Sequence, residues 1–386
     1  MQPSTDEPKV SINFPWRVLW LFVIWWIALQ AFALLSYNRF HLTEPDQAYT
    51  WTSQIRGMLP IVWKSFADLH ARFDSGFYTW IAAQGYTADN AAFLPFYPLL
   101  IRAVVTTIGC KPLQFASPDC YVTAAFLVSN LSALAAALVL YTLAQLDVDQ
   151  AAAERAVFYF LIFPSAFFLT ANYTESLFVL LSAASLYMAR RNHWAIASSF
   201  GALAMLTRPS GIALFAALLV EGGTQRRFVG WLWTLLMPLA FIIFQGYLTA
   251  QGLSFFQTQQ VLFNRVPLQL EAWERQLDWQ HLQAQPAAQV NFALDVGLAL
   301  FVLLMSLISL WRLRFSYGVF GALCVLLPLL TIQTLSLNRY ALVAFNVPVM
   351  LSLYGQQVWL DRAYTLGAIL LLALYTILFT QGYWAG

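Results

Sequence analysis

Long apolar blocks separated by short polar connections make up most of the 386-residue chain. Many of the blocks approach the roughly 20 apolar residues that an α-helix needs to cross a bilayer. The blocks are 16–37, 119–146, 154–170, 173–189, 194–206, 211–222, 229–250, 291–311, 315–336, 340–358 and 364–383. This pattern predicts an all-α polytopic membrane protein with about eleven transmembrane helices, which form a single membrane-embedded domain over 1–386.

The composition excludes the main alternatives to a membrane protein. Hydrophobic residues make up 60% of the chain and charged residues only 10%, whereas a soluble domain carries roughly 25% charged residues. A chain of this size cannot bury so much apolar surface in a water-soluble core, so a soluble enzyme is excluded. The net charge of +2 predicts no nucleic-acid partner.

Arginines in the short connections predict the orientation, because short loops rich in Lys and Arg stay on the cytoplasmic side. These basic residues are Lys9, Arg17, Arg190, Arg191, Arg226, Arg227, Arg312, Arg314 and Arg362. An even number of crossings must separate each basic connection from the next, so 194–222 is expected to be a hairpin of two short helices. The N-terminus is then cytoplasmic and the C-terminus lies outside.

Two long segments fall on the outer side in this arrangement. Residues 39–118 form a first outer loop, in which 93–109 is apolar but short and proline-rich, and we expect an interfacial or re-entrant helix there. Residues 251–290 form a second large outer loop, whose stretch around 271–275 suggests a surface helix. Cys110 and Cys120 could form a disulfide outside the membrane, although we interpret them as two thiols.

Four ionisable residues from separate outer turns are expected at the same membrane face: Asp74, Glu175, Arg208 and Arg339. Ionisable groups at the edge of apolar helices are costly and usually face a cavity or a partner. Two acids and two arginines at one face predict a site for an anionic substrate. Alternatively, Glu175 only caps its helix, and the arginines only reach the lipid interface.

The segment 70–86 combines Arg72 and Asp74 with several aromatic residues. A carboxylate beside an arginine under aromatic rings suits sugar transfer, because the carboxylate can deprotonate a hydroxyl while rings stack on the sugar. The alternative is an amphipathic surface helix with solvated charges. His70 lies one helical turn before Asp74, so a hydrogen bond could orient the acid. In 93–98, two prolines break the helix, which suits a re-entrant turn or a pocket wall.

One motif is interpreted as a coincidence. Asp147-Val148-Asp149 spells the DxD signature of many nucleotide-sugar transferases, but it lies in a loop predicted to be cytoplasmic. We therefore expect a solvated helix connection at that position. The histidines and cysteines have no metal-ligand spacing, and the chain contains no P-loop or HExxH motif.

These motifs resemble a known family. Arg72-Phe73-Asp74-Ser75-Gly76-Phe77-Tyr78 and the segment 93–100 are similar to the first outer loop of the PIG-V mannosyltransferases. The segments 172–178, 207–211 and 338–340 resemble its later motifs, in the same order. Phe73 stands where that family usually has Trp, and Leu94 interrupts an aromatic pair, so the departures concern pocket shape and substrate.

The resemblance implies a GT-C glycosyltransferase fold and an inverting mannosyltransferase. The donor would be a polyprenyl-phosphate sugar in the lipid bilayer, and the acceptor a hydroxyl of an extracytoplasmic glycan, glycolipid or protein. Asp74 would be the general base, Glu175 would orient substrate or support Asp74, and Arg208, Arg339 and Arg72 would hold the donor phosphate. The pocket and acceptor residues would be His70, Tyr78, Phe96, Tyr97, Asn172 and Tyr173.

Such an enzyme requires no metal or other cofactor on sequence grounds. Its active site would lie on the outer side, and the absence of a retention signal favours a bacterial cytoplasmic membrane over the endoplasmic reticulum. Three alternatives stay open: a transporter or flippase of a lipid-linked anion, a nucleotide-sugar transferase that uses Asp147 and Asp149, and a non-enzymatic subunit of a glycan assembly pathway. The sequence has no internal repeat, which disfavours a transporter.

Overall fold

The computed structural model describes residues 15–40, 66, 69–109, 118–263, 286–330, 336–383 and 385. Within these ranges the regular secondary structure is helical and contains no strand. The helices are α1 (Trp16–Arg39), α2 (Ser75–Gln84), α3 (Phe96–Ile108), α4 (Pro118–Ala144), α5 (Gln150–Leu161), α6 (Glu175–Arg190), α7 (Trp194–Met205), α8 (Gly211–Thr224), α9 (Phe228–Thr234), α10 (Leu236–Ala250), α11 (Phe255–Phe263), α12 (Pro286–Arg312), α13 (Phe315–Leu330), α14 (Leu337–Leu342), α15 (Asn346–Tyr354) and α16 (Val358–Thr380).

Five of the described helical segments are long and apolar enough to cross a membrane. They are Trp16–Arg39, Cys120–Ala144, Phe228–Ala250, Val290–Arg312 and Val358–Thr380. Large aliphatic side chains on them are more than half exposed, among them Leu35, Ile243, Leu304 and Leu370. Exposed apolar surface on this scale is what a bilayer covers. The polytopic all-α class is therefore confirmed, while the count of eleven spans stays a prediction.

Helix α6 lies at the centre of the helical bundle. Most of its residues are buried, including Ser182 and Ser185, and it packs against α4 and α7. Small residues in its middle let neighbouring backbones approach closely. The hydroxyl of Ser185 donates to the carbonyl of Ala197 in α7 at 2.7 Å. The two ends of α6 consequently hold fixed positions relative to the rest of the bundle.

The predicted hairpin over 194–222 is present as α7 and α8. A Cβ atom added at Gly211 would lie 2.5 Å from the Cα of Met205, so only glycine lets α8 start directly against the end of α7. Pro209 stands just before α8, at a position where its missing amide costs no helical hydrogen bond. The turn is thus compact, and Arg208 lies in it.

Two predicted spans are interrupted. In 154–170, α5 ends at Leu161 and a 3-10 turn over Ala166–Leu169 follows, with Pro164 between them. In 340–358, α14 and α15 are separate short helices. Continuous helices were the wrong expectation, because hydropathy records only that residues are apolar. Buried irregular backbone is tolerated at membrane depth when protein surrounds it.

The first outer loop contains two described helices, α2 and α3. The short helix expected over 93–109 is confirmed as α3, which begins at Phe96 after Pro95. The surface helix expected around 271–275 lies outside the described residues. Cys120 takes part in a disulfide, so two free thiols were the wrong interpretation for that residue, and Cys110 lies outside the described residues. Cys324 is a buried free thiol.

Candidate active site

Four charged side chains form one continuous chain of ion pairs, which we call the Glu175 cluster: Asp74, Glu175, Arg208 and Arg339. The Oε1 atom of Glu175 lies 2.7 Å from a terminal nitrogen of Arg208 and 2.7 Å from the Nε of Arg339. Arg339 also reaches the Oδ2 of Asp74 at 2.7 Å. The predicted convergence of these four residues is therefore present in the structure.

Each member of the cluster stands at or near the end of a helix. Asp74 immediately precedes α2 and Glu175 is the first residue of α6. Arg208 lies in the turn before α8, and Arg339 lies in the short helix α14. Because the ends of neighbouring helices meet at the same level of a bundle, residues that are far apart in sequence become neighbours here.

Residues with a strained backbone lie shortly before Asp74 and Arg339 in the chain. Phe73 has φ +50° and Ser336 has φ +68°, a left-handed conformation that costs a non-glycine residue about 1–2 kcal/mol. Phe73 directly precedes Asp74, whose carbonyl accepts the amides of Phe77 and Tyr78. Such conformations persist where the surrounding structure enforces them, and they cluster at functional sites.

Burial is uneven across the Glu175 cluster. The side chains of Glu175, Arg208 and Arg339 are 0%, 6% and 7% exposed, whereas that of Asp74 is 15% exposed. Asp74 is thus the member most open to a substrate. Glu175 and the two arginines form the enclosed part.

Aromatic rings flank the two arginines. The guanidinium carbon of Arg339 lies 4.5 Å from the ring centroid of Tyr173 and 5.3 Å from that of Phe168. The guanidinium carbon of Arg208 lies 5.3 Å from the ring of Tyr340. A cation over an aromatic face is attracted by the ring quadrupole. The rings therefore hold the guanidinium planes without occupying all their hydrogen-bond donors.

Several buried polar atoms in and beside the cluster have no hydrogen-bond partner among the described residues. They are the Oε2 of Glu175, the Nε of Arg208 and the hydroxyls of Ser75, Ser176 and Ser210. A buried polar group without a partner costs roughly 1–3 kcal/mol. The site therefore has spare hydrogen-bonding capacity that a polar ligand could use.

The aromatic residues predicted for the pocket have different positions. Tyr78 is buried and lies edge-on to Tyr97, with ring centroids 5.2 Å apart. Burial first, and then the negative charge of Asp74, raise the pKa of Tyr78, so its phenol stays protonated. Tyr97 is fully buried, and its hydroxyl is 2.7 Å from the hydroxyl of Ser129. Phe96 contributes a backbone amide that donates to Leu206, next to the Arg208 turn.

The residues at 172–173 hold the first loop in place. The backbone amide of Asn172 donates to the backbone carbonyl of His70 at 2.9 Å. The hydroxyl of Tyr173 donates to the backbone carbonyl of Arg72, also at 2.9 Å. The guanidinium of Arg72 lies 6.0 Å from the ring of Tyr37 in α1. The ion pairs of the Glu175 cluster are made by the other two arginines. Through its backbone carbonyl, Arg72 is thus held against the segment at 172–173.

Contrary to the expectation from the sequence, His70 does not orient Asp74. Its Nδ1 is hydrogen-bonded to the carbonyl of Phe66 at 2.9 Å, and its ring stacks on Phe167 with centroids 5.8 Å apart. Complete burial lowers the pKa of His70 to about 4, so the ring is neutral at physiological pH. His70 packs inside the loop, and the turn geometry around Phe73 orients Asp74.

Two contributing residues were missed by the sequence patterns. The hydroxyl of Thr174 accepts a hydrogen bond from Arg208 at 3.0 Å. Asp295 is buried in the apolar helix α12, and its carboxylate is hydrogen-bonded by the backbone amides at 336, 337 and 338, which begin α14. The sequence did contain a signal for Asp295, because a single acidic residue within an apolar segment usually has a buried partner or a functional role. Asp295 positions the helix that carries Arg339.

A second ion-pair network, which we call the Glu221 cluster, lies at the other end of α6: Asp147, Arg190, Glu221 and Arg314. The Asp147 carboxylate is 2.7 Å from Arg190, and Glu221 is 3.6 Å from Arg314. Asp149 instead caps α5 by accepting the amide of Ala152 at 2.8 Å. Residues 147 and 149 of this connection are exposed, as expected for the DxD motif, and the Asp147 carboxylate is in addition an ion-pair partner of Arg190. At 1.5 Å per residue, α6 separates the two clusters by roughly 22 Å.

No group of three or more His, Cys, Asp or Glu side chains lies close enough to hold a metal ion within the residues that the structure describes. The Glu175 cluster contains two carboxylates, each already facing a guanidinium.

Comparisons with known proteins agree with these motifs. A sequence profile of the family described as "Mannosyltransferase (PIG-V)" matches residues 16–276. "GPI mannosyltransferase 2" of Yarrowia lipolytica is 36% identical over 97 residues, which is 25% of this chain and 27% of that protein. The match therefore spans about a quarter of that relative.

Solved structures with a similar helical arrangement are more distant. The Archaeoglobus fulgidus oligosaccharyltransferase in complex with Zn and sulfate matches with a TM-score of 0.45 and 14% identity, over 93% of this chain and 53% of that one. The same organism's oligosaccharyltransferase AglB, in complex with an inhibitory peptide and a dolichol-phosphate, matches with a TM-score of 0.42 and 15% identity, over 95% and 57%. This chain thus covers just over half of each archaeal chain, and similarity at this level carries no argument about substrate.

Proposed function

The chain belongs to the PIG-V mannosyltransferase family, and from that premise we propose that it is a membrane glycosyltransferase with a GT-C fold. It moves mannose from a polyprenyl-phosphate donor to a hydroxyl of an extracytoplasmic glycan, lipid or protein. The observation that carries the proposal is the Glu175 cluster, in which two buried arginines lie beside one partly open carboxylate, Asp74.

The arginines are the donor phosphate site in this proposal. A guanidinium matches phosphate oxygens with two parallel hydrogen bonds and stays charged when buried. Arg339 is now shared between Glu175 and Asp74. An incoming phosphate competes with Asp74 for Arg339, so donor binding frees the carboxylate that the reaction needs.

Asp74 is the general base in an inverting single displacement. It takes the proton of the acceptor hydroxyl as the acceptor oxygen attacks the anomeric carbon and the bond to the phosphate oxygen breaks. The leaving group is polyprenyl phosphate, whose charge Arg208 and Arg339 stabilise. Glu175 keeps the two guanidinium groups aligned, because its Oε1 contacts both at 2.7 Å.

The proposed chemistry uses arginines for the charge that a divalent metal supplies in many transferases. Turnover is therefore expected to be unchanged when purified enzyme is treated with a chelator. Loss of activity with EDTA and its recovery with added Mg²⁺ or Mn²⁺ would contradict this part of the proposal.

The decisive experiment is transfer of labelled mannose. Purified protein is mixed with polyprenyl-phosphate mannose and a membrane extract that supplies the acceptor. Asp74→Asn is expected to lower kcat on the order of 100-fold or more, because it removes the base. The matched control is Asp89→Asn, which changes an exposed acid of the same loop and should keep full activity.

Other outcomes point to the alternatives. Wild-type activity in Asp74→Asn rejects the base assignment. Inactive Asp147→Asn together with active Asp74→Asn favours a nucleotide-sugar transferase. Movement of the intact lipid-linked sugar across the bilayer of liposomes, without formation of a mannosylated product, favours a flippase.

The proposal places the active site on the extracytoplasmic side of a bacterial cytoplasmic membrane. A cysteine at Asp89, which is exposed in the first loop, should react with an impermeant maleimide added to intact cells. Labelling only after the cells are opened would reverse the orientation.

A further inference from the structure

An open apolar groove runs between two membrane-spanning helices, α12 and α16. Its cavity has a volume of about 360 Å³. Ala293, Gly297 and Phe301 line it from α12, and Ala363, Gly367 and Tyr375 line it from α16. At 1.5 Å per helical residue, the α16 wall from residue 363 to residue 375 is roughly 18 Å long.

Two glycines create this space. A Cβ atom added at Gly297 or at Gly367 would meet no other atom within 4 Å. Neither glycine is among the residues with positive φ, so the backbone conformation does not require glycine there. Glycine inside a helix costs up to about 1 kcal/mol relative to alanine. Neither close packing between the helices nor the backbone conformation therefore requires glycine at these two positions.

The groove leads to the helix that carries Arg339. Leu294 lines it and precedes Asp295, which binds the backbone amides that begin α14. Tyr375 lines it and interacts with the side chain of Asn338. Pro164 also lines it, and the hydroxyl of the next residue, Ser165, donates to the carbonyl of Asn338 at 2.8 Å. The three segments that line the groove, which are α12, α16 and the connection at 164–165, thus each contact the chain at 336–338, next to Arg339.

We propose that this groove holds the isoprenoid tail of the donor while Arg339 and Arg208 hold its phosphate. An apolar chain fits a groove that lies within the hydrocarbon region and is lined by Ala, Gly, Leu and aromatic side chains. Because the segments that line the groove contact residues 336–338, we assign the polar end of such a ligand to the side of the groove that adjoins α14. This inference rests on the proposed function, because it assigns a place to the tail of the proposed donor.

The test fills the groove. The double variant Gly297→Leu with Gly367→Leu puts side chains into open space, so it is expected to fold and to keep the wild-type melting temperature. The KM for a long-chain polyprenyl-phosphate mannose should rise about tenfold, because buried apolar contacts are lost. The kcat should stay within about twofold, and the KM for a donor with a two-isoprene tail should not change.

Gly246→Leu is the matched control. Gly246 lies in α10, which belongs to the membrane-spanning segment Phe228–Ala250, and a Cβ atom there also meets nothing within 4 Å. This variant should leave both KM values unchanged. An equal rise of the long-chain KM in Gly246→Leu would overturn the groove assignment, and so would an unchanged long-chain KM in the double variant, as expected if bilayer acyl chains fill the groove.

The remaining outcomes separate this inference from the proposed function. A rise of both KM values in the double variant overturns the tail assignment, because the phosphate site has then been disturbed. A wild-type protein without turnover on either donor overturns the proposed function together with this inference. A wild-type enzyme that is active and indifferent to tail length overturns only the groove.

Discussion

The two ends of α6 carry ion-pair clusters of similar composition and different construction. In the Glu221 cluster, polar side chains complete the network: Ser316 donates to Glu221 at 2.6 Å, and Tyr317 donates to Asp147 at 3.1 Å. In the Glu175 cluster, aromatic faces flank the arginines, with Tyr173 4.5 Å from Arg339, and one hydroxyl, that of Thr174, accepts a hydrogen bond from Arg208. The Oε2 of Glu175 keeps no hydrogen-bond partner among the described residues.

This difference distinguishes a network that serves the structure from one that can still bind a polar ligand. A buried polar network in which each carboxylate oxygen is engaged fixes the helices around it. A network that leaves donors and acceptors unused pays a desolvation cost that a polar ligand can relieve. The Glu221 cluster therefore fastens the bundle, and the Glu175 cluster suits an anionic substrate.

The largest expected effect is on turnover. Arg339→Ala should lower kcat/KM on the order of 1,000-fold, because it removes a hydrogen-bond donor that the proposed mechanism directs at the leaving phosphate. Arg314→Ala, in the Glu221 cluster, should leave kcat/KM within a few-fold. Both are measured by mannose transfer with purified protein. Equal losses in the two variants would erase the distinction between the clusters.

Glu175→Gln should lower kcat/KM about 100-fold. The neutral amide keeps the shape of the side chain but no longer holds two guanidinium groups in one geometry. The loss should appear in kcat and KM together, since in the proposed mechanism the arginines contact the donor phosphate both before and during the reaction. An effect on thermal stability alone, with normal kinetics in the folded fraction, would assign Glu175 a purely structural role.

Glu221→Gln should act on stability. Breaking a buried ion pair costs about 3 kcal/mol, so the melting temperature in detergent should fall. The specific activity of the folded fraction should match that of wild type. A variant with normal stability and lost transfer activity would place chemistry at this end of α6.

The smallest expected effect is a pH dependence from His70. Burial lowers its pKa to about 4 in the folded protein, against an unperturbed value of roughly 6.5. The unfolded state therefore binds more protons below pH 6.5, and stability falls as the pH drops, by at most about 1.4 kcal/mol from pH 6.5 to 5.5. His70→Gln should flatten the melting temperature over this range. An unchanged slope would mean that other groups cause the acid sensitivity.

The sequence predicted much of the fold because membrane insertion depends on local properties. An apolar block of about 20 residues becomes a helix in lipid whatever its neighbours are, since its backbone must satisfy its own hydrogen bonds. For that reason α1 and α4 start and end within two residues of their predicted limits, and α12 and α16 within six. The blocks at 154–170 and 340–358 failed because protein surrounds them, and buried breaks leave no mark on hydropathy.

The candidate site was partly predictable for a similar reason. Charged residues in apolar surroundings are conspicuous, and the alternation of short loops put Asp74, Glu175, Arg208 and Arg339 on one side. The pairing could not be predicted, because Arg339 and Asp74 are 265 residues apart and their contact depends on how the helices pack. The roles of His70 and Tyr97 also depend on burial, which turned both into packing residues.

The sequence by itself determined that this protein is built from membrane helices and that a few charges gather at one end. Both follow from the transfer of side chains between water and lipid, which acts residue by residue. The tertiary structure alone decided that two arginines share the carboxylate of Glu175 and that the carboxylate of Asp74 stays partly exposed. It also decided that Asp295 holds the helix that carries Arg339. Those features depend on contacts of a few ångströms between distant segments, and only the packed bundle fixes such distances.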